Sequence, residues 1–377
     1  MNLLKINHSE LKELVKIYYH KKTPIFIYGG FGIGKSFVIK EVAVNIAKEK
    51  GKEFIDWNKI NSKEKRTLIN NTKGKFIFCD IRTTQIEPSD LRGLPLFNGD
   101  KDFVDWKPNL IFSLLSEKDA DGILFFDEMN NASPMVMASL YQIFLDRAIG
   151  EISINKDVGI ISAGNRIGVD KANVFEVPAP LKDRMGEVEL SIPSVDEWIE
   201  NFALPNNING RIIAFLKFKS SYLYLVDDKN RDKSATPRGW SRANNLIDDV
   251  DNSNLDLLKN LVSSALGEGI GLEWVAYTKL QRKIDIEEYL KNPKKVNDLK
   301  DLDLRYALLG VASEYYKKHK KVEMLEKMLY LCEHLEAEYS VLLLRFLKGI
   351  DEKFFKEEIV KLKVFNSLSK NFAKYLL

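Results

Sequence analysis

The sequence predicts an α/β fold: a parallel five-stranded sheet with helices on both faces, followed by helices alone. Three observations predict it. Between Pro24 and about Ile192, short apolar runs alternate with segments of helical period. A glycine-rich loop, Gly29–Ser36, leaves the first of those runs and opens a helix. Beyond Pro193 strand signals stop and helical periodicity takes over.

The expected strands are Ile25–Tyr28, Phe76–Ile81, Ile123–Asp127, Val158–Ala163 and Glu187–Leu190. Each is nearly all apolar or β-branched on its buried portion, as strands of a covered parallel sheet must be. A short helix is expected at about 8–22, and another at Ser36–Lys48. A third, Pro134–Leu145, places Met137, Leu140, Tyr141 and Phe144 on one stripe, with Ser133 as N-cap and Pro134 at the first helical position. Two inserts interrupt this rhythm: Leu94–Trp106, with a turn at Phe97-Asn98-Gly99-Asp100, and Ile149–Val158, with a turn near Asn155. The polar stretch Gly51–Lys75 reads as a surface insertion. The expected domains are 1–193, an all-α lid at 194–292 and a C-terminal helical extension at 293–377. In the extension Met324, Leu325, Met328, Leu329 and Leu331 form a stripe that reads as packed core.

Composition narrows the function classes. At 377 residues, 45% hydrophobic and 29% charged, the chain is an ordinary multi-domain globular protein rather than a disordered one. Its apolar stretches fall short of the ~20 residues a bilayer span needs, and Met1-Asn2-Leu3-Leu4-Lys5 has no signal-peptide apolar region, so no membrane association and a cytoplasmic location are expected. Cys79 and Cys332 sit in apolar surroundings and read as reduced and packed. The four histidines form no ligand-spaced cluster, which argues against transition-metal chemistry. A net charge of +3 does not by itself imply a nucleic-acid partner.

The motifs carry the chemistry. In Gly29-Gly30-Phe31-Gly32-Ile33-Gly34-Lys35-Ser36, backbone N–H groups surround phosphates, Lys35 reaches the β and γ oxygens, and the Ser36 hydroxyl ligates magnesium. The context is the one such a P-loop requires, because Pro24–Tyr28 is a buried strand and Phe37 opens a helix whose N-terminus favours an anion. Gly122–Glu128 delivers an acidic pair to the sheet's carboxyl edge. Asp127 would hold Mg²⁺ largely through water, and Glu128 would polarise the attacking water. Asn165 ends the next strand with an amide suited to positioning that water. Arg184 precedes the last strand, where it would meet the γ-phosphate of a neighbouring subunit. Arg238, in Thr236-Pro237-Arg238 at a helix start, would aim a second guanidinium at the phosphates. The predicted cofactors are therefore ATP and Mg²⁺; the loop reads phosphates and leaves the base open.

In this order the motifs resemble those of an AAA+ ATPase. The stretch Asp80-Ile81-Arg82-Thr83-Thr84-Gln85-Ile86-Glu87-Pro88-Ser89-Asp90-Leu91-Arg92-Gly93-Leu94-Pro95 is similar to the MoxR family. The resemblance covers about residues 20–285 and includes Phe126-Asp127-Glu128, Gly164-Asn165 and Thr236–Trp240. It implies that the insert around Leu94–Trp106 is a helix-2 insert hairpin and that around Ile149–Val158 a pre-sensor-1 hairpin, both facing a ring pore. It makes Asn165 sensor 1, Arg184 the arginine finger and Arg238 sensor 2. Met185, where the family has an aromatic, departs from the pattern. MoxR relatives form hexameric rings and commonly work with a von Willebrand factor A domain protein, so a hexamer that remodels or activates such a partner or another protein client is the implied function. Two other readings stand beside this chaperone-like one. Tyr315-Tyr316-Lys317-Lys318-His319-Lys320-Lys321 suggests nucleic-acid remodelling, and a nucleotide-gated assembly module with little turnover would use the same loop.

Overall fold

The structure, a computed structural model, describes residues 3–97, 104–168, 170, 174–226, 234–248, 250 and 254–376. They form two compact units, 1–192 and 193–377.

The first unit runs β1 (Leu4–Ile6), α1 (His8–Lys21), β2 (Ile25–Tyr28), α2 (Lys35–Glu49), β3 (Glu53–Asp56), α3 (Ser62–Thr67) and β4 (Lys75–Arg82). It continues with α4 (Pro88–Arg92), β5 (Leu94–Phe97), β6 (Val104–Lys107), α5 (Leu110–Leu115), β7 (Gly122–Asp127) and α6 (Pro134–Asp146). Last come β8 (Ala148–Ile149), β9 (Ile152–Ser153), β10 (Val158–Gly164), α7 (Ala179–Lys182) and β11 (Gly186–Leu190). One sheet, ordered β1-β11-β2-β10-β7-β4-β3, has every neighbour parallel. Strands β2 and β10 are buried along their whole length, and β7 along all but its last residue, so both faces of the sheet are covered.

Seven strands replace the expected five. The five expected runs are all present, and the additions lie at the two edges. Strand β3 falls inside Gly51–Lys75, which is thus an edge strand and a short helix rather than a surface insertion. An edge strand has one neighbour and needs little apolar sequence; Glu53-Phe54-Ile55-Asp56 has no fully buried residue, and Leu4 in β1 is 65% exposed.

Both inserts are antiparallel hairpins, β5–β6 and β8–β9. The predicted turn of the first at Asn98-Gly99-Asp100 lies outside the described residues. The second hairpin turns at Gly150-Glu151, with Gly150 at φ +56°, which precedes the position expected near Asn155. Asn155 instead makes a separate turn that leads into β10, its carbonyl accepting from Val158 N–H at 3.1 Å.

The second unit is helical apart from the short pair Leu225–Val226 and Ser234–Ala235. Its helices include α8 (Val195–Trp198), α9 (Gly210–Phe218), α10 (Pro237–Ile247), α11 (Leu255–Leu266), α12 (Glu268–Gln281) and α13 (Ile286–Lys291). After Pro293 come α14 (Leu302–Lys318), α15 (Val322–His334), α16 (Ala337–Ile350), α17 (Glu352–Ile359) and α18 (Phe365–Leu376). Helices from both sides of Pro293 share one core, which runs from Val195 to Leu368 and includes Phe215, Trp240, Tyr316 and Phe346. In the stripe on α15, Leu325, Met328, Leu329 and Leu331 are fully buried and Met324 partly so. Both cysteines are buried and free, and burial pushes each thiol pKa up. Among the described residues no helix is long and apolar enough to cross a membrane, and no group of His, Cys, Asp and Glu is disposed as a metal cage.

Candidate functional site

Strand order decides which residues meet. Strand β10 lies between β2, which delivers the glycine loop, and β7, which delivers the acidic pair. The carboxyl ends of all three therefore converge on one edge, the place where open parallel sheets hold ligands. Gly29 N–H continues the ladder by donating to the Gly164 carbonyl at 3.2 Å, so the loop starts from a fixed point. Gly32 at φ +71° and Gly34 at φ +103° then supply left-handed backbone that turns the loop into α2. Helix α2 begins after Gly34, which offers no side chain as a cap, whereas Asn7, Asn61 and Ser133 cap α1, α3 and α6.

Lys35 is 8% exposed and its ammonium donates to the carbonyls of Gly29 at 2.6 Å and Gly30 at 2.9 Å. The charge is thus held over the mouth of its own loop. Ser36 Oγ donates to Asp127 Oδ2 at 2.6 Å, joining residues 91 apart in sequence. These are two hard oxygen donors at one point beside the phosphate loop, a set that fits Mg²⁺ and not a soft metal. Ser36 and Asp127 are the residues that would hold the ion.

Glu128 directly follows β7 in left-handed conformation, φ +55°, an uncommon one for a residue with a side chain. Its N–H donates to Asp127 Oδ1 at 2.9 Å, and its Oε2 accepts from Thr84 Oγ1 at 2.9 Å. The strained turn swings the carboxylate out of the strand line and leaves it exposed at the sheet edge. Thr83 Oγ1 meanwhile donates to the Asp127 carbonyl at 3.0 Å. The two threonines after β4 thus brace both acidic residues.

Asn165 sits at the end of β10, between the loop and the acidic pair. Its backbone is clamped by Asn130, whose Nδ2 donates to the Asn165 carbonyl at 2.8 Å and whose Oδ1 accepts from Asn165 N–H at 3.0 Å. Its own amide donates to Asn131 Oδ1 at 3.0 Å. Gly164 must be glycine here, since a Cβ would lie 2.0 Å from Asn130 Oδ1. Arg166 pairs with Asp170 at 2.9 Å and with Glu189 at 3.3 Å, anchoring the segment after Asn165 to β11.

Arg184 follows α7 with its side chain 61% exposed and Asp183 3.9 Å from its Nε, and it reaches none of the loop residues within its own chain by a described bond. Arg238 is exposed at the second position of α10, whose N-cap Thr236 accepts from Gly239 N–H at 3.0 Å. It belongs to the second unit. Phe31 and Phe37 lie in the loop and at the start of α2, with Phe37 41% exposed. The first unit thus brings together the loop, Lys35, Ser36, Asp127, Glu128 and Asn165.

Five contributors have roles in the site that sequence reasoning did not assign. Thr83, Thr84 and Asn130 act through partners about 35 to 44 residues away. His8 Nε2 lies 2.7 Å from the Ile33 carbonyl of the loop. Asp80, on β4, is the fifth: burial first, and then the nearby charge of Asp127, push its carboxyl up to about 6. Asp80 Oδ1 is buried without a hydrogen-bond partner. Of these, Asp80, Thr83 and Thr84 fall in the Asp80–Pro95 stretch that stands out in the sequence, and His8 and Asn130 fall outside every motif.

No protein-family model matches the chain, and no curated protein matches it in sequence. Solved structures overlap it weakly. A Cytophaga hutchinsonii protein described as a "putative ATPase" is 13% identical, with 88% of this chain and 78% of that one covered at a TM-score of 0.32. NtrX from Brucella abortus in complex with ADP is 12% identical, with coverage of 98% and 68% and a TM-score of 0.33. A second structure of the same NtrX gives 12%, 97%, 67% and 0.31. Likenesses this slight assign nothing, and the functional reading rests on the site's own geometry.

Proposed function

We propose that this chain is an AAA+ ATPase of MoxR-like type, which uses ATP hydrolysis in an oligomeric ring to remodel or activate a protein partner. The observation that carries the ATPase reading is the Ser36–Asp127 hydrogen bond of 2.6 Å, because it joins the phosphate loop and the acidic strand into one site beside the exposed Glu128. The residues divide the work. Loop N–H groups and Lys35 bind the phosphates, with Lys35 exchanging the Gly29 and Gly30 carbonyls for phosphate oxygens. Glu128 accepts the proton of the attacking water, and Asn165 orients that water. Ser36 and Asp127 would hold Mg²⁺, which would neutralise charge on the phosphates.

The exposure of Arg184 supports a role for it in the site of a neighbouring protomer, and hence a ring, expected to be hexameric. Arg238 takes the sensor role on the helical unit. A von Willebrand factor A domain protein is the partner that the resemblance favours. The basic stretch after Tyr315 gives little support to the nucleic-acid reading: Tyr316 is fully buried, Lys317 faces Asp248 at 3.8 Å, and Lys320 pairs with Asp351 at 2.6 Å.

Glu128→Gln tests the reading. Turnover of ATP should fall by roughly 10²- to 10⁴-fold with nucleotide binding retained. Unchanged turnover would remove Glu128 from the chemistry, and a wild type that binds ATP without hydrolysing it would favour the assembly-module reading. Pull-down with the same variant, followed by identification of what co-elutes, tests the protein-partner reading.

A further inference from the structure

A phosphate loop binds anions only while its N–H groups point inward, which forces carbonyls outward, where each needs a partner of its own. The Ile33 carbonyl, between Gly32 and Gly34, is such a group, and His8 meets it at 2.7 Å. A carbonyl only accepts, so Nε2 of His8 carries the proton and donates. We propose that His8 is a positioning residue for the phosphate loop, holding the Ile33 peptide in the orientation that nucleotide binding requires. This rests on the ATP-binding reading above.

The placement of His8 is fixed from three directions. Strand β1 pairs with β11 from Leu4 to Ile6 and ends two residues before it. Asn7 then caps α1 in a reciprocal box with Glu10: Asn7 Oδ1 accepts from Glu10 N–H at 2.9 Å, and Glu10 Oε2 accepts from Asn7 N–H at 2.8 Å. This sets His8 as the first helical residue. Downstream, Leu11 and Val15 are fully buried, and Lys12 pairs with Glu41 of α2 at 2.8 Å. The imidazole is therefore anchored to the same helix that the loop opens. Gly34 lies beside the imidazole, since a Cβ built there would be 3.6 Å from His8 Nε2, an ordinary contact. The loop's second left-handed residue, at φ +103°, is thus a neighbour of the ring.

The test compares His8→Phe, which keeps a ring of similar size without a donor, with His8→Gln, whose terminal amide places an N–H near the position of Nε2. The readout is the dissociation constant of a fluorescent N-methylanthraniloyl ATP, with melting temperature in the absence of nucleotide recorded alongside. His8→Phe should bind about three- to tenfold more weakly, the range one net hydrogen bond supplies, and His8→Gln should bind within about twofold of wild type. Wild-type affinity in His8→Phe overturns the proposal. So does equal weakening in both variants, which would make the ring a packing element. If His8→Phe fails to fold, His8→Gln decides alone: near wild-type affinity sustains the donor role, and a loss comparable to that expected of Phe overturns it. Lys35→Ala separates this from the underlying reading, because wild-type affinity there would show that the nucleotide is not bound at this loop at all.

Discussion

Two aspartates mark the ends of strand β7, Asp121 just before it and Asp127 as its last residue, and they are treated in opposite ways. At its amino end Asp121 is 1% exposed and receives hydrogen bonds from Lys50, Lys52 and the Tyr19 hydroxyl. Burial alone would push its carboxyl up, but the three donors outweigh that and hold it below the usual range. Burial and Asp121 together push the Tyr19 hydroxyl up in turn. At its carboxyl end Asp127 is met by a serine hydroxyl and the next residue's N–H, with another carboxyl, Asp80, nearby and no cation described on it. One end of the strand is buried and closed by lysines, and the other is partly exposed at the sheet edge. A buried carboxylate that is fully compensated holds a fold together, whereas a partly exposed one bonded to the phosphate loop is placed to meet a ligand.

The largest effect that would test this contrast is Asp121→Ala. Removing the shared acceptor strands two lysines and a buried hydroxyl, and should cost about 3 kcal/mol by denaturant titration. ATP turnover of the folded fraction should be unchanged, and a matching loss of turnover would erase the distinction between the two ends. The expected cost belongs to pH above the ordinary carboxylate range. Because the folded-state pKa is depressed, the stabilisation from Asp121 is present above about pH 4 and is lost as pH falls further.

Asn130→Ala probes the open end. It leaves the N–H and carbonyl of Asn165 without their clamp, so a loss of about 2 kcal/mol in stability is expected. Unlike the first change, it should also lower kcat, because Asn165 loses its fixed position. Retained kcat would take Asn165 out of the reaction.

Asp80→Asn is the smallest and has the opposite sign. A carboxyl whose folded pKa is raised from 3.8 to about 6 is indifferent below about pH 4 and destabilising once pH passes 6. In protein free of nucleotide and metal the variant should be more stable than wild type by about 1 kcal/mol at pH 7.5, a figure discounted for solvent at its exposed side, with no difference near pH 4. Equal stability at both values would show that Asp80 is compensated after all.

How much of this was legible in the sequence follows from the range over which each contact acts. The loop, Asp127 and the central strands are local patterns, and their observed bounds differ from the expected ones by a residue at most. Edge strands β1 and β3 escape because one neighbour asks little of their sequence. Asn130, Thr84, His8 and Asp121 escape for a different reason: each works through a partner about 25 to 102 residues away, brought close only by the strand order. Asn130 also reads as one polar residue among several in Met129-Asn130-Asn131, although it is 0% exposed.

The β5–β6 hairpin, whose described residues are all exposed, departs from Gly93 at φ +88°. A Cβ at Gly93 would lie 2.1 Å from the Lys107 carbonyl, so the two stems touch backbone to backbone where they leave the body. Its root is thereby closed to change, while its outward residues make no demand on the core. For evolution this makes the hairpin an interchangeable cassette, whose surface is open to being rewritten without disturbing the core beneath it.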